Sequence, residues 1–313
     1  MKYKNVFFAA FMLLAASCSN EESLDSSVNL SSEQAQVPVT VRVSGFAVEQ
    51  EDFPGTGDPQ GTRGTTRALT RAQSVSDYSS VKFLTLAFYK VSDGIEVFKQ
   101  TQNRDDNTTY TTFGEFSTTL TIGDYTMVVV ANGGSNVPTL TSATSATFGE
   151  NAVGDTFVNT QTVNITSTAV VNLNATLDRI VSGIAVHSSD DRADEAKKLR
   201  ITSTTGGRSF SPATGLATVN TGITAMITHT EAVDAVTRSA ALIFLASDEQ
   251  TADVTLESLD ADDNVLYSTM VQNVPLKRNR LTILTGALYS NASVGAGSFQ
   301  VNTDWLDSEN VNF

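Results

Sequence analysis

Between Val37 and Val43 valine occupies every second position, the two-residue period of a strand with one dry face and one wet face. Phe46 and Val48 extend the apolar series past Gly45. In the first half the same reading predicts strands over residues 81–89, 96–100, 116–122, 125–132, 158–165 and 169–177. In the second half it predicts strands over 179–187, 199–202, 214–219, 240–246, 253–259, 265–271, 280–284 and 299–302. The stretches 81–89 and 125–132 are apolar at nearly every position, so both of their faces are expected to be covered. By contrast, Val171, Leu173, Ala175 and Leu177 alternate with Asn172, Asn174 and Thr176. Pro54, Gly55, Gly57, Pro59, Gly61 and Gly64 exclude regular structure between the first two apolar series and leave a long loop. A Thr/Ser-rich loop is expected from 133 to about 156, and a charged loop or single helical turn over 188–198. Short strands at this rhythm, with hardly any helical period, predict an all-β fold of sandwiches divided near 177–179.

The segment before the first strand carries a different signal. Lys2 and Lys4 lead an apolar run over 6–16, too short for a permanent bilayer span and matching a secretory signal. Ala15, Ala16 and Ser17 run into Cys18 in a pattern that resembles a bacterial lipobox, in which the cysteine thiol is acylated. An ordinary cleaved signal followed by a chance cysteine is the alternative. Residues 1–17 are thus expected to be a lipoprotein signal peptide, and the polar residues 18–36 a flexible tether to a membrane lipid on Cys18. Glu21 and Glu22 look like the signal that takes such lipoproteins to the outer face of the outer membrane. Cys18 is the only cysteine, so no internal disulfide can staple the fold, and stability must come from buried area and sheet hydrogen bonds. With 34 acidic against 20 basic residues the net charge is −14, which disfavours nucleic acid as a partner.

Candidate chemistry is sparse. His187 and His229 have no cysteine partner and no zinc-protease spacing, so no metal site or catalytic triad is expected. Asp260, Asp262 and Asp263 lack the glycine and distal glutamate of a calcium loop and read as a polar hairpin turn before Val265. Gly295-Ala296-Gly297 lacks the lysine of a phosphate loop, and Trp305 reads as packing against its own sheet. No enzyme activity and no cofactor are expected. Arg63, Arg67 and Arg71 stand at four-residue spacing in an acidic chain, at the end of a loop spanning 49–72. Accessible arginines there suit a trypsin-like protease, which needs an extended backbone. A solvated loop or a short helix is the alternative.

Three stretches resemble the fimbrillin superfamily of Gram-negative anaerobes, which includes major fimbrial subunits and fimbrial anchor lipoproteins. They are residues 123–132 (GDYTMVVVAN), 177–181 (LDRIV) and 274–286 (VPLKRNRLTILTG). The resemblance implies two tandem transthyretin-like β-sandwich domains, over 37–177 and 178–313. It also implies a structural surface protein that assembles by β-strand addition, in which a neighbour's strand fills a groove. Carried onto this chain, the removable first strand holds Val37, Val39, Val41, Val43 and Phe46. The implied cut follows Arg67 or Arg71, with Arg63 behind them. Residues 299–306 would be a donor strand or the last strand of the second domain. Partners implied are other fimbrial subunits and host or bacterial surface ligands. Stalk and anchor subunits both fit the resemblance. A surface glycan-binding lipoprotein is the alternative, using aromatic side chains on a sandwich face.

Overall fold

A computed structural model describes residues 35–50, 69–73, 75, 78–134, 136–149, 153–229, 238–289 and 300–303. The first half contributes β1 (Gln36–Gln50), β2 (Leu69–Gln73), β3 (Val81–Lys90), β4 (Glu96–Asn103) and β5 (Glu115–Thr121). It continues with β6 (Gly123–Gly133), β7 (Thr139–Ser142), β8 (Ser145–Thr147), β9 (Thr156–Ile165) and β10 (Val171–Arg179). The second half holds β11 (Val181–Ser188), β12 (Lys198–Ser203), β13 (Ser209–Phe210), β14 (Ile223–Thr228) and β15 (Arg238–Phe244). It ends with β16 (Glu249–Leu259), β17 (Val265–Lys277), β18 (Leu281–Gly286) and β19 (Gln300–Thr303). Among the described residues the only helix is a single 3-10 turn, Asn107–Thr109, so the fold is all-β.

The first eight-stranded sheet runs β2-β1-β10-β9-β6-β3-β4, with β5 also on β1. Its two parts meet only where Asp178 and Arg179 pair with Val158 and Phe157, so the sheet folds over and closes on itself as a sandwich. Inward residues of β1, β5 and β10 pack there against those of β3, β6 and β9. The second sandwich sets β15-β11-β18-β19 against β14-β12-β16-β17, with Ile184, Ile201, Ile243 and Leu256 among its core. In each half the first strand runs parallel to a late one, β1 to β10 and β11 to β18.

A third core joins the halves. Ala87 and Tyr89 of β3 and Val128 and Val130 of β6 point away from the first core, onto Ile180, Val181, Phe210 and Phe244. That is the physical reason these two strands are apolar on both faces. Phe210 and Phe244 lie 4.4 Å apart between ring centroids, with Phe148 stacked on Phe244 at 6.0 Å.

Several elements differ from the sequence reading. Residues 214–219 do not form a strand; Gly215 donates to Ser211 O and Ser211 to Leu216 O in a tight turn, with Gly215 at φ +71°. The strand lies later, as β14, where Ile223, Ala225 and Ile227 alternate. The Thr/Ser-rich loop contains the hairpin β7–β8, which pairs with β13 from the other half. Gly154 lies against Gly133, where an added Cβ would sit 2.0 Å from the Gly133 carbonyl oxygen. Because that obstacle is backbone, Gly154→Ala is expected to destabilise the protein by about 2–3 kcal/mol, the upper range for overpacking, read as a lowered urea midpoint.

Candidate functional site in the first strand

β1 is built to be held from both sides. Val37, Val39, Val41 and Val43 are buried on one face, with exposed Arg42 and Ser44 on the other. Along one edge, residues 39–47 pair in parallel with 171–178 of β10. Along the other, residues 36–42 pair antiparallel with β5 and residues 46–50 antiparallel with β2. Arg42 and Glu115 form an exposed ion pair across the β5 ladder, a contact of small energetic weight.

The valine alternation breaks at Ser44, an extra residue that shifts the register from Val43↔Ala175 to Gly45↔Thr176. The Ser44 hydroxyl donates to the Ala175 carbonyl at 3.1 Å and lies 3.1 Å from the Thr176 hydroxyl. The bulge turns Phe46 inward, where it is fully buried. Its ring sits 5.2 Å from Tyr78 and 4.8 Å from Phe157, which are themselves 5.3 Å apart.

Behind those rings lies a buried ion pair. Arg179 Nε donates to Asp155 Oδ1 at 2.8 Å and Nη2 to Oδ2 at 2.9 Å, with side-chain exposures of 1% and 5%. The Tyr78 hydroxyl donates to Asp155 Oδ2 at 3.0 Å and also accepts from Arg179 Nη2. The Arg179 guanidinium stands 4.7 Å from the Phe157 ring centroid. Burial, reinforced by the Asp155 charge, pushes the Tyr78 hydroxyl up to about 12, so it stays a neutral donor.

The other edge of β10 is closed by side chains of β9. Asn159 Nδ2 donates to the Thr176 carbonyl at 2.9 Å and Gln161 Nε2 to the Asn174 carbonyl at 3.3 Å. Side-chain caps of this kind discourage an added strand.

The remaining expected site residues are placed as follows. Arg71 is in β2, opposite Val48 of β1, so both ends of the expected loop 49–72 are strand. Cys18, Arg63, Arg67 and Trp305 lie outside the described residues. The Asp260 turn is the expected hairpin, its carboxylate accepting from the backbone N–H of Asp262 and Asn264 at 2.9 Å each. His187 is near the end of β11. His229 Nε2 lies 3.3 Å from the Tyr289 hydroxyl.

Burial, with the Arg192 charge adding to it, lowers the His229 pKa to about 4. The unfolded chain, with histidine near its ordinary value of about 6.5, then binds the extra proton between those two values. Stability is therefore expected to fall as pH drops from about 6.5 to about 4, and this contribution levels off below that. Urea midpoints across that window should show a shallower decline in His229→Gln.

Sequence reasoning missed Tyr78, Asp155 and Phe157 as a group. Arg179 offered one signal, a charged residue between Leu177 and Val181 at a position with buried parity.

The architecture defines the class: an all-β protein of two packed sandwiches, its first strand inserted between others that come later in the chain. The chain belongs to a family of unknown function, DUF6562, whose model matches residues 50–310. A search of curated proteins found no match. Among solved structures, candidate polysaccharide-binding proteins (DUF1812) from Bacteroides thetaiotaomicron are similar with a TM-score of 0.50 and 10% identity. That alignment covers 88% of this chain and 99% of the other, a likeness of fold. A candidate adhesin from Bacteroides ovatus aligns at a TM-score of 0.49 and 11% identity, over 88% and 96% of the two chains. The fimbrial anchor protein Mfa2 from Porphyromonas gingivalis aligns at 0.44 and 11%, over 86% and 97%.

Proposed function

We propose that this chain is a cell-surface structural or accessory subunit of a fimbria, assembling with other subunits by β-strand addition. In this reading, lipid on Cys18 holds it at the outer membrane, at first or permanently. Residues 37–177 and 178–313 act as its two domains. The observation that carries the proposal is the position of β1. It supplies five fully or nearly fully buried side chains to the first core, lies between β10 and the β5/β2 edge, and connects onward only through residues 51–68. Its departure would leave backbone donors and acceptors unpaired on both sides of an apolar groove, the requirement for strand addition. Arg63 and Arg67 fall within the connection, whereas Arg71 is engaged in the β2 ladder. The Arg67–Ala68 bond immediately precedes β2, so a cut there leaves that strand whole.

Treatment of the folded chain with an arginine-specific protease is expected to give a single cut, with a new N-terminus at Ala68 or Gly64. If the cut product is a stalk unit, it forms ladders that resist SDS. A new N-terminus at Ala72 would contradict the protection assigned to β2. A chain that resists cleavage would overturn the processed-stalk version and leave the lipid-held anchor.

A further inference from the structure

We infer that the groove filled by β1 is selective for a strand of one pattern, and that this chain's own C-terminal segment does not have it. The pattern is four aliphatic side chains at alternate positions, one extra residue, and then an aromatic ring. The inference rests on the strand-addition reading above and names the chemistry of the partner strand.

Three observations set the pattern. First, Val37, Val39, Val41 and Val43 each fill the first core with at most 4% exposure, so the groove takes branched aliphatic groups at every second residue. Second, the bulge at Ser44 advances the chain by one residue before Phe46. The next inward ring thus follows the last valine by three positions, not two. Third, the Phe46 ring occupies a socket walled by Tyr78 and Phe157, the two rings against which the Arg179–Asp155 pair is packed. Tilted rings at 4.8 and 5.2 Å are matched to another aromatic, which gains both burial and ring–ring attraction. A small side chain there would leave a void beside a buried ion pair and admit water to it.

Residues 296–308 can be laid on this pattern in four registers, and each fails at one position or more. Starting at Gly297 puts Gly297, Phe299, Val301 and Thr303 at the four positions and Leu306, which is not aromatic, in the socket; starting at Ser298 puts Asp307 there. With Phe299, Val301, Thr303 and Trp305 at the four aliphatic positions, Ser308 falls in the aromatic socket. With Trp305 in the socket, the four aliphatic positions receive Ala296, Ser298, Gln300 and Asn302. The strand that replaces β1 therefore comes from a different chain, one carrying the bulged pattern and not a strict alternation.

The test uses the full chain with a single engineered protease site placed within residues 51–68, cut after folding and exchanged in mild urea against labelled peptides. Peptides copy residues 36–50, the same segment with Phe46→Ala, the same segment lacking Ser44, and residues 296–308. Fluorescence anisotropy reads uptake. The unaltered copy is expected to bind, and the Phe46→Ala copy to bind about a hundredfold more weakly or worse, as for loss of a buried aromatic. The copy lacking Ser44 should be weakened at least tenfold, and the 296–308 peptide should not compete. Uptake of the Phe46→Ala or Ser44-lacking copy within about threefold of the original would overturn the inference while leaving strand addition intact. So would tight binding of the 296–308 peptide. If even the unaltered copy fails to enter, the strand-addition reading falls, and the inference with it.

Discussion

Arg179→Met is expected to destabilise the protein by about 3–5 kcal/mol, among the largest effects of any single substitution in it. The cause is what remains, not what is lost. Asp155 would keep its carboxylate at 5% exposure with the Tyr78 hydroxyl as its remaining side-chain donor, and a buried charge stripped of its counter-ion is costly. Replacing both partners tests this. Arg179→Met combined with Asp155→Leu should recover a large part of the loss, because two apolar groups of similar size need no counter-charge. Urea unfolding of the two single variants and the double gives the coupling. If the double variant loses the sum of the singles, the pair is not acting as a unit. If Arg179→Met costs less than about 1 kcal/mol, the pair is better hydrated than its burial suggests.

The same ion pair marks the border between what the sequence declared and what it hid. Strands were legible wherever the apolar period was long. Residues 81–89 and 125–132 announced themselves as doubly covered, and the structure supplies the second cover as the Phe210–Phe244 face of the other half. The first strand was legible as far as Phe46 and Val48, but they read there as a simple extension past Gly45, and the bulge at Ser44 that puts Phe46 out of step with the valines came only with the pairing to β10. What hid was pairing that depends on distant segments. Asp155 and Arg179 lie 24 residues apart, and no local rule brings a carboxylate just before one strand to a guanidinium at the end of another. β14 is short and carries Met226 between Thr224 and Thr228 on its other face, so its Ile-x-Ala-x-Ile alternation was passed over for the apolar residues at 214–219. There Gly215 sits where a Cβ would meet Ile180 at 2.7 Å, which makes that stretch a packed turn. β2 escaped notice because its strand character comes from pairing with β1, not from its own composition.

A chain expressed without its first 50 residues is expected to fail to fold cooperatively, whereas a chain cut between β1 and β2 after folding keeps its native unfolding transition. The difference is kinetic as well as energetic. Val37, Val39, Val41, Val43 and Phe46 are each nearly fully buried. At about 1.5–3 kcal/mol per large apolar side chain their burial is worth on the order of 10 kcal/mol, an upper estimate that rivals the whole stability of an ordinary domain. A chain that never has β1 must expose the Phe157 and Tyr78 rings and the unpaired edges of β5 and β10 together, the surface that drives aggregation. A chain cut afterwards retains β1 through three ladders and the Phe46 socket, so its release must pass through an opening of the whole first sandwich. Size-exclusion chromatography and urea titration of the two forms decide the matter. A monomeric truncated chain that unfolds cooperatively within about 2 kcal/mol of the intact one would show that the first core closes without β1.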